Sequence, residues 1–173
     1  MKILAFDTST ELCSCALTCD GEVFLRERNA GQSHSEILLP MIDSLLNENS
    51  LRVSALDAIA FGCGPGSFTG LRIACGVAQG LALGANLPVI AITSLLALAE
   101  GQGTRKVIAC VDARMGEIYH AAYESGGDDW VCVAQPSLCR PDDSPQLSGE
   151  NWSGCGSGFK VHGEALSRRY AEK

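Results

Sequence analysis

The sequence predicts an α/β fold of two related lobes, each a mixed sheet flanked by helices. Three observations carry that prediction. Short alternating strands open the chain, strand and helix signals then alternate, and the opening pattern returns near residue 108. With 46% of 173 residues apolar and 19% charged, the chain can build a sizeable core and is not disordered.

The elements follow in order. Ile3, Leu4, Ala5 and Phe6 form an apolar run ending at Asp7. After Thr8-Ser9-Thr10-Glu11, residues Leu12, Ser14, Ala16 and Thr18 alternate with Cys13, Cys15 and Leu17, and Asp20-Gly21 turns the chain into Val23-Phe24-Leu25. The first 28 residues therefore read as three antiparallel strands. Ser33 and Glu36 stand in capping-box spacing ahead of a helix over 33–48, whose first turns Pro40 should kink or delay. A buried strand over 58–61, a glycine-rich loop and a helix over 69–83 come next. A strand over 88–92 and a helix starting at Leu95 follow. The stretch 73–99 carries no charge, but Gly76, Gly80, Gly84, Asn86 and Pro88 interrupt it, so it reads as buried helix, turn and strand rather than a membrane span.

The repeat has two parts. Ile108-Ala109-Cys110-Val111-Asp112 and the residues to Tyr119 echo 3–13 as strand, Asp, turn, Glu, strand. Gly154-Cys155-Gly156-Ser157-Gly158-Phe159 echoes Gly62-Cys63-Gly64-Pro65-Gly66-Ser67-Phe68. Two echoes in one order indicate duplication, with a first lobe over 1–103, a boundary at Gly101-Gln102-Gly103-Thr104 and a second lobe over 104–173. The segment 136–151, rich in Pro, Ser and Asp, is expected to cover the second lobe as loop or short helix. Residues 163–173 read as a helix with no glycine or proline to stop it. The second lobe is thus expected to lack the strand and helix that follow Leu83 in the first, and the chain is expected to be incomplete, with apolar sheet surface uncovered.

A formal charge of −7 opposes long-range attraction to phosphate backbones, so any RNA role is expected to be shared. The nine cysteines are odd in number and contain no Cys-x-x-Cys, and no apolar signal stretch precedes the first carboxylate. The run Ile3–Phe6 before that carboxylate is far too short for a signal stretch, so the cysteines read as reduced hydrophobes of a cytoplasmic protein. The three histidines, 34, 120 and 162, are scattered, so no metal site is expected, and His34 reads as a solvated first-turn residue. Neither His-Glu-x-x-His nor Gly-x-Ser-x-Gly occurs, which argues against a peptidase.

Gly64-Pro65-Gly66-Ser67-Phe68-Thr69-Gly70-Leu71-Arg72 follows a strand and opens a helix, a geometry that presents backbone N–H groups to an anion. It lacks the spacing and the lysine of a Walker loop. As a dinucleotide fingerprint it has Ser67 where a glycine belongs, and no acid before Glu100. Its glycines read better as allowing a tight turn and close helix approach. The helix that follows carries Gly76, Gly80 and Gly84 between Ala74, Ala78 and Ala82. Each glycine costs roughly 1 kcal/mol relative to alanine, so a compensating close contact is expected. The 33–48 helix has apolar residues on two stripes, Ile37, Met41 and Leu45 on one and Leu39, Ile42 and Leu46 on the other, so one stripe can meet the sheet and the other a partner. The expected interface sets Leu38, Met41, Ile42 and Leu45 against Arg72, Cys75, Gly76 and Gln79.

Through residues 3–11, Ser33-His34-Ser35-Glu36 and above all 64–73, the chain resembles the TsaB, or YeaZ, family, closely over 1–100 and more loosely to Lys173. The resemblance implies the duplicated actin, Hsp70 and sugar-kinase (ASKHA) superfold with ribonuclease H-like lobes. It also implies a noncatalytic scaffold or activating subunit in the formation of N6-threonylcarbamoyladenosine (t6A) at position 37 of tRNAs reading ANN codons. In that system a separate synthase makes threonylcarbamoyl-AMP, the paralogue TsaD transfers the group, and TsaE is an ATPase partner. The implied chain pairs with TsaD, forms a homodimer when alone, and reaches tRNA only through the complex. It has no membrane association and no cofactor when isolated, a nucleotide at a subunit junction being left open. The alternative is an ASKHA-type ATPase or kinase that binds its nucleotide through Asp7 and Asp112. Such a protein needs glycine after each of these aspartates so that phosphates can approach. Here Thr8-Ser9-Thr10 follows Asp7, while Asp112 meets its first glycine only at Gly116, past Arg114. The catalytic paralogue has two metal-binding histidines on its first helix, whereas here His34 has Leu38 one turn on.

Overall fold

A computed structural model describes residues 1–127 and 129–170. The chain divides into two compact units, Met1–Ser94 and Leu95–Lys173.

The first unit opens with β1 (Ile3–Asp7), β2 (Leu12–Cys19) and β3 (Glu22–Asn29), the antiparallel meander expected from the alternation. Then come α1 (His34–Glu48), a 3-10 turn at Val53–Ala55, β4 (Ala58–Gly62), α2 (Phe68–Ala85) and β5 (Val89–Ile92). The strand order is β3-β2-β1-β4-β5, with β4 parallel to β1 and β5 parallel to β4. The two-residue period of β2 turns Cys13, Cys15 and Leu17 to one face, into a single core with Leu38, Ile42, Leu45 and Leu46 of α1 and Ala74, Ala78 and Ala82 of α2. This corrects the expected interface. Leu38, Ile42 and Leu45 are buried in their own core and Met41 is half-buried against it, because α1 needs that stripe to cover the sheet. Ser33 makes no side-chain cap, and α1 runs through Pro40 instead of being delayed by it. Pro40 and Glu36, whose carbonyl loses a partner to the proline, both lie on the exposed side. The helix α2 ends where Asn86 takes a left-handed φ of 54°.

The second unit contains α3 (Ser94–Glu100) from Leu95 on, then β6 (Lys106–Arg114), β7 (Glu117–Ser125), β8 (Trp130–Cys139), a 3-10 turn at Pro141–Asp143, β9 (Ser153–Cys155) and α4 (Ser157–Arg169). Its order, β8-β7-β6-β9, reproduces β3-β2-β1-β4, with β9 parallel to β6. The exit glycines agree: φ is 97° at Gly64 and 95° at Gly156. Both faces of this sheet are covered at β6, while Val131, Val133 and Leu138 on β8 stay exposed. Leu95 and Ala99 of α3 pack with Val107, Ala109 and Val111, while Leu147, Leu166 and Tyr170 pack with the alternate residues Ile108 and Cys110.

Three local expectations are corrected. The division falls at Ser94, ahead of 101–104, because α3 supplies Leu95 and Ala99 to the second core. Strand β8 takes 136–139 from the expected linker. It is the last strand of its sheet, and Pro136 sits where the register with β7 shifts between His120 and Ala122. Helix α4 starts at Ser157 rather than 163, and non-helical angles at His162 (φ −120°, ψ 27°) divide it. Residues 171–173 of the expected terminal helix lie outside the described residues. All nine cysteines are free. Burial pushes the Cys15 and Cys155 thiols up to about 11.

Candidate functional site

The glycine loop closes onto the β1–β2 turn. Ser67 N–H donates to the Ser9 carbonyl (2.7 Å), and Thr8 Oγ1 donates to the Gly70 carbonyl (2.7 Å). A Cβ on Gly66 would overlap the Ser9 carbonyl, and one on Gly70 would overlap the Thr8 carbonyl. Thr8 and Ser9 are buried. The loop's glycines thus let two backbones touch, and Ser67 caps α2 by accepting from Gly70 N–H (3.2 Å).

Asp7 is held in the same contact. Its Oδ1 accepts from Ser9 N–H (2.6 Å) and Ser9 Oγ (2.5 Å), and its Oδ2 accepts from Ser94 Oγ (3.4 Å). A Cβ on Gly62 would land on Oδ2, so that glycine makes room for the carboxylate itself. Nothing in the sequence singled out Ser9 and Ser94 as partners of Asp7.

The second unit repeats the turn with different partners. Asp112 Oδ1 accepts from Arg114 N–H (3.3 Å), the same two-residue reach that Asp7 makes to Ser9, and it faces His162 Nε2 at 3.2 Å. Arg114 Nε lies 3.8 Å from Oδ2, and Asp112 N–H donates to Ser157 Oγ (3.0 Å). Gly156 and Gly158 allow the start of α4 to touch Cys110, as Gly66 and Gly70 do in the first unit. The expected repeat is therefore visible down to backbone contacts. His162 escaped sequence reasoning because a lone histidine carries no spacing signal. Among the described residues, no three His, Cys, Asp or Glu side chains are grouped to hold a metal.

The second feature is the outer side of α2. Gly70, Ala74, Ala78 and Ala82 face the core, so the opposite stripe is exposed. Gly76, Gly80 and Gly84 are exposed, and a Cβ on any of them would meet nothing within 4 Å. Leu83 is 88% exposed and Phe68 is 68% exposed, with the Arg72 guanidinium 3.6 Å over the Phe68 ring. Arg72 and Gln79 are also exposed, and Cys75 is half-buried. The interface residues expected on α2 are thus available, and most of those expected on α1 are not. By length and composition α2 could cross a membrane, a property that core helices share.

Comparison with known proteins places this arrangement. A sequence model of the TsaD family, tRNA N6-adenosine threonylcarbamoyltransferase, matches residues 27–154. The tRNA threonylcarbamoyladenosine biosynthesis protein TsaB of Escherichia coli is 42% identical over 171 residues, covering 93% of this chain and 73% of that protein. Its Haemophilus influenzae counterpart is 39% identical over 177 residues, covering 95% and 75%. The chain belongs to the TsaB (YeaZ) family. The solved YeaZ from Pseudomonas aeruginosa superposes with a TM-score of 0.88 at 39% identity, over 94% of this chain and 78% of that one. The two mixed sheets with flanking helices have the two-lobe ASKHA-like architecture expected of a TsaB-family chain.

Against that background His34 needs correction. It is 5% exposed rather than solvated, and its Nε2 is buried without a partner. It is the first residue of α1, and a lone histidine at a helix start carries no sequence signal of burial.

Proposed function

We propose that this TsaB-family chain is a noncatalytic cytoplasmic subunit of the t6A37 machinery that pairs, through the outer side of α2, with the TsaD-type catalytic paralogue. TsaE serves as the ATPase partner, and tRNA is reached through the complex. One observation carries the reading. Gly76 and Gly80 inside α2, at roughly 1 kcal/mol each, and Gly84 in its last turn have no neighbour among the described residues that needs them. Their cost is offset when another backbone lies across the stripe. The turns support the noncatalytic part. Asp7 is engaged by Ser9 and Ser94, and Asp112 by Arg114 and His162, so both carboxylates already serve their own turns. In the absence of the paralogue the same stripe pairs two copies of the chain.

The test is sedimentation of the chain with the paralogue, comparing wild type with Gly76→Leu. The variant should fold as wild type, because its side chain projects into open space, and should not pair. Wild-type pairing by Gly76→Leu would place the interface elsewhere.

A further inference from the structure

Tyr170, just past α4, places its hydroxyl where three segments meet. His120 Nε2 on β7 lies 2.9 Å away, Ser144 Oγ 2.9 Å and the Pro145 carbonyl 3.0 Å. Ser144 Oγ donates to the Pro141 carbonyl (2.8 Å), and Arg169 donates to the Ser144 carbonyl from Nε (2.9 Å) and Nη2 (2.5 Å). His120 and Ser144 are fully buried, and the His120 and Tyr170 rings lie 6.2 Å apart at 14°.

The hydrogens in this cluster can be counted. Ser144 spends its own on Pro141, so Tyr170 gives its hydrogen to Ser144 Oγ or to the Pro145 carbonyl. If it gave that hydrogen to His120 instead, three oxygens would face one another with none between them. The Tyr170 oxygen is therefore the acceptor, and His120 carries its hydrogen on Nε2. Its Nδ1 is then a bare lone pair, buried without a hydrogen-bond partner among the described residues. A neutral ring tolerates that. An imidazolium would hold an unsatisfied N–H and a charge in a core shared with Ile118, Ala122, Leu147 and Leu166.

The groups around the ring do not relieve this. Cys110 on β6 and Ser137 on β8 are its cross-strand neighbours, and Ser137 Oγ is itself without a partner. Burial raises the Cys110 and Cys139 thiols and so keeps them neutral. Arg169 of α4 is a cation. Asp143 and Glu117 bear on Cys139, and neither bonds to the ring. Burial lowers His120 to about 4, and the opposing pull of its own backbone on the charged ring is the smaller effect.

We propose that His120, Tyr170 and Ser144 form a proton-operated latch. The neutral ring fastens the end of α4 and the 141–147 segment to β7, and protonation at Nδ1 releases both and uncovers the apolar face beneath.

The test is amide exchange together with imidazole nitrogen NMR on the full chain. It uses a His162→Gln background, so that the Asp112 partner does not contribute. The expected result is the Nε2–H tautomer near neutral pH and at least about tenfold loss of α4 protection by about pH 4.5, after correction for intrinsic exchange, with α2 unchanged. His120→Gln, whose amide can donate to Tyr170 but cannot titrate, should abolish that loss. An Nδ1–H tautomer, α4 protection that is unchanged in acid, or the same loss in His120→Gln would overturn the latch. Should His120→Gln not fold, Tyr170→Phe isolates the hydroxyl. It should show the weakened α4 already near neutral pH, and wild-type protection there would equally overturn the proposal.

Discussion

Thr8 and Gly70 lock two backbones together: the Thr8 hydroxyl donates to the Gly70 carbonyl at 2.7 Å, and the Thr8 carbonyl occupies the space a Gly70 Cβ would need. Gly70→Ala must separate α2 from the β1–β2 turn. Overpacking of this kind costs about 1–3 kcal/mol. The urea midpoint of the variant should fall accordingly, and an unchanged midpoint would mean that the contact is slack.

Asp7 acts as a structural residue in this account. Asp7→Asn removes the charge that Ser9 N–H and Ser9 Oγ solvate, and hydrogen bonds to charged groups contribute about 1.5–3 kcal/mol. Chemical denaturation should show a loss of that order near neutral pH. Mg-ATP turnover by the isolated chain that disappears in Asp7→Asn would instead favour the kinase or ATPase reading.

Gly80→Ala should stabilise the monomer, measured at a concentration too dilute for two copies to pair. The added methyl meets nothing, and helix propensity favours alanine by about 0.5–1 kcal/mol. The same change should weaken pairing, so thermal unfolding and sedimentation should move in opposite directions. A destabilised monomer would show that the stripe already has an intrachain role.

Stability should also depend on pH through His120. Its folded value is about 4 against an ordinary 6.5, so the unfolded chain takes up the proton first. The contribution is complete above about 6.5, declines as pH falls through the interval, and is lost below about 4, a span worth about 3 kcal/mol. Urea midpoints across that interval should slope in wild type and flatten in His120→Gln. Equal slopes would assign the dependence to other groups.

Much of this fold was legible because its signals are local. The alternation through Cys13, Cys15 and Leu17 and the Asp20-Gly21 turn specify the first meander, and the Asp7 and Asp112 turns betray the duplication. Strand β8 was hidden because Pro136 read as the start of a linker, although the register shift at an edge strand accommodates it. The start of α4 was hidden because Gly158 and Gly163 suggest breaks and His162 does leave helical geometry. The site was less legible. Burial decides whether Leu38 and Ile42 serve the core or a partner, and whether His34 and His120 meet water, and no spacing rule supplies it.

Reconstituted threonylcarbamoyl transfer to tRNA bears most directly on the central claim. The synthase, the catalytic paralogue, TsaE, ATP and substrate tRNA would be assayed without this chain, with wild type and with Gly76→Leu. The account predicts that wild type raises modified tRNA, that Gly76→Leu does not, and that the chain alone with substrates gives none. Modification by the chain alone, or full support from a folded Gly76→Leu, would contradict it.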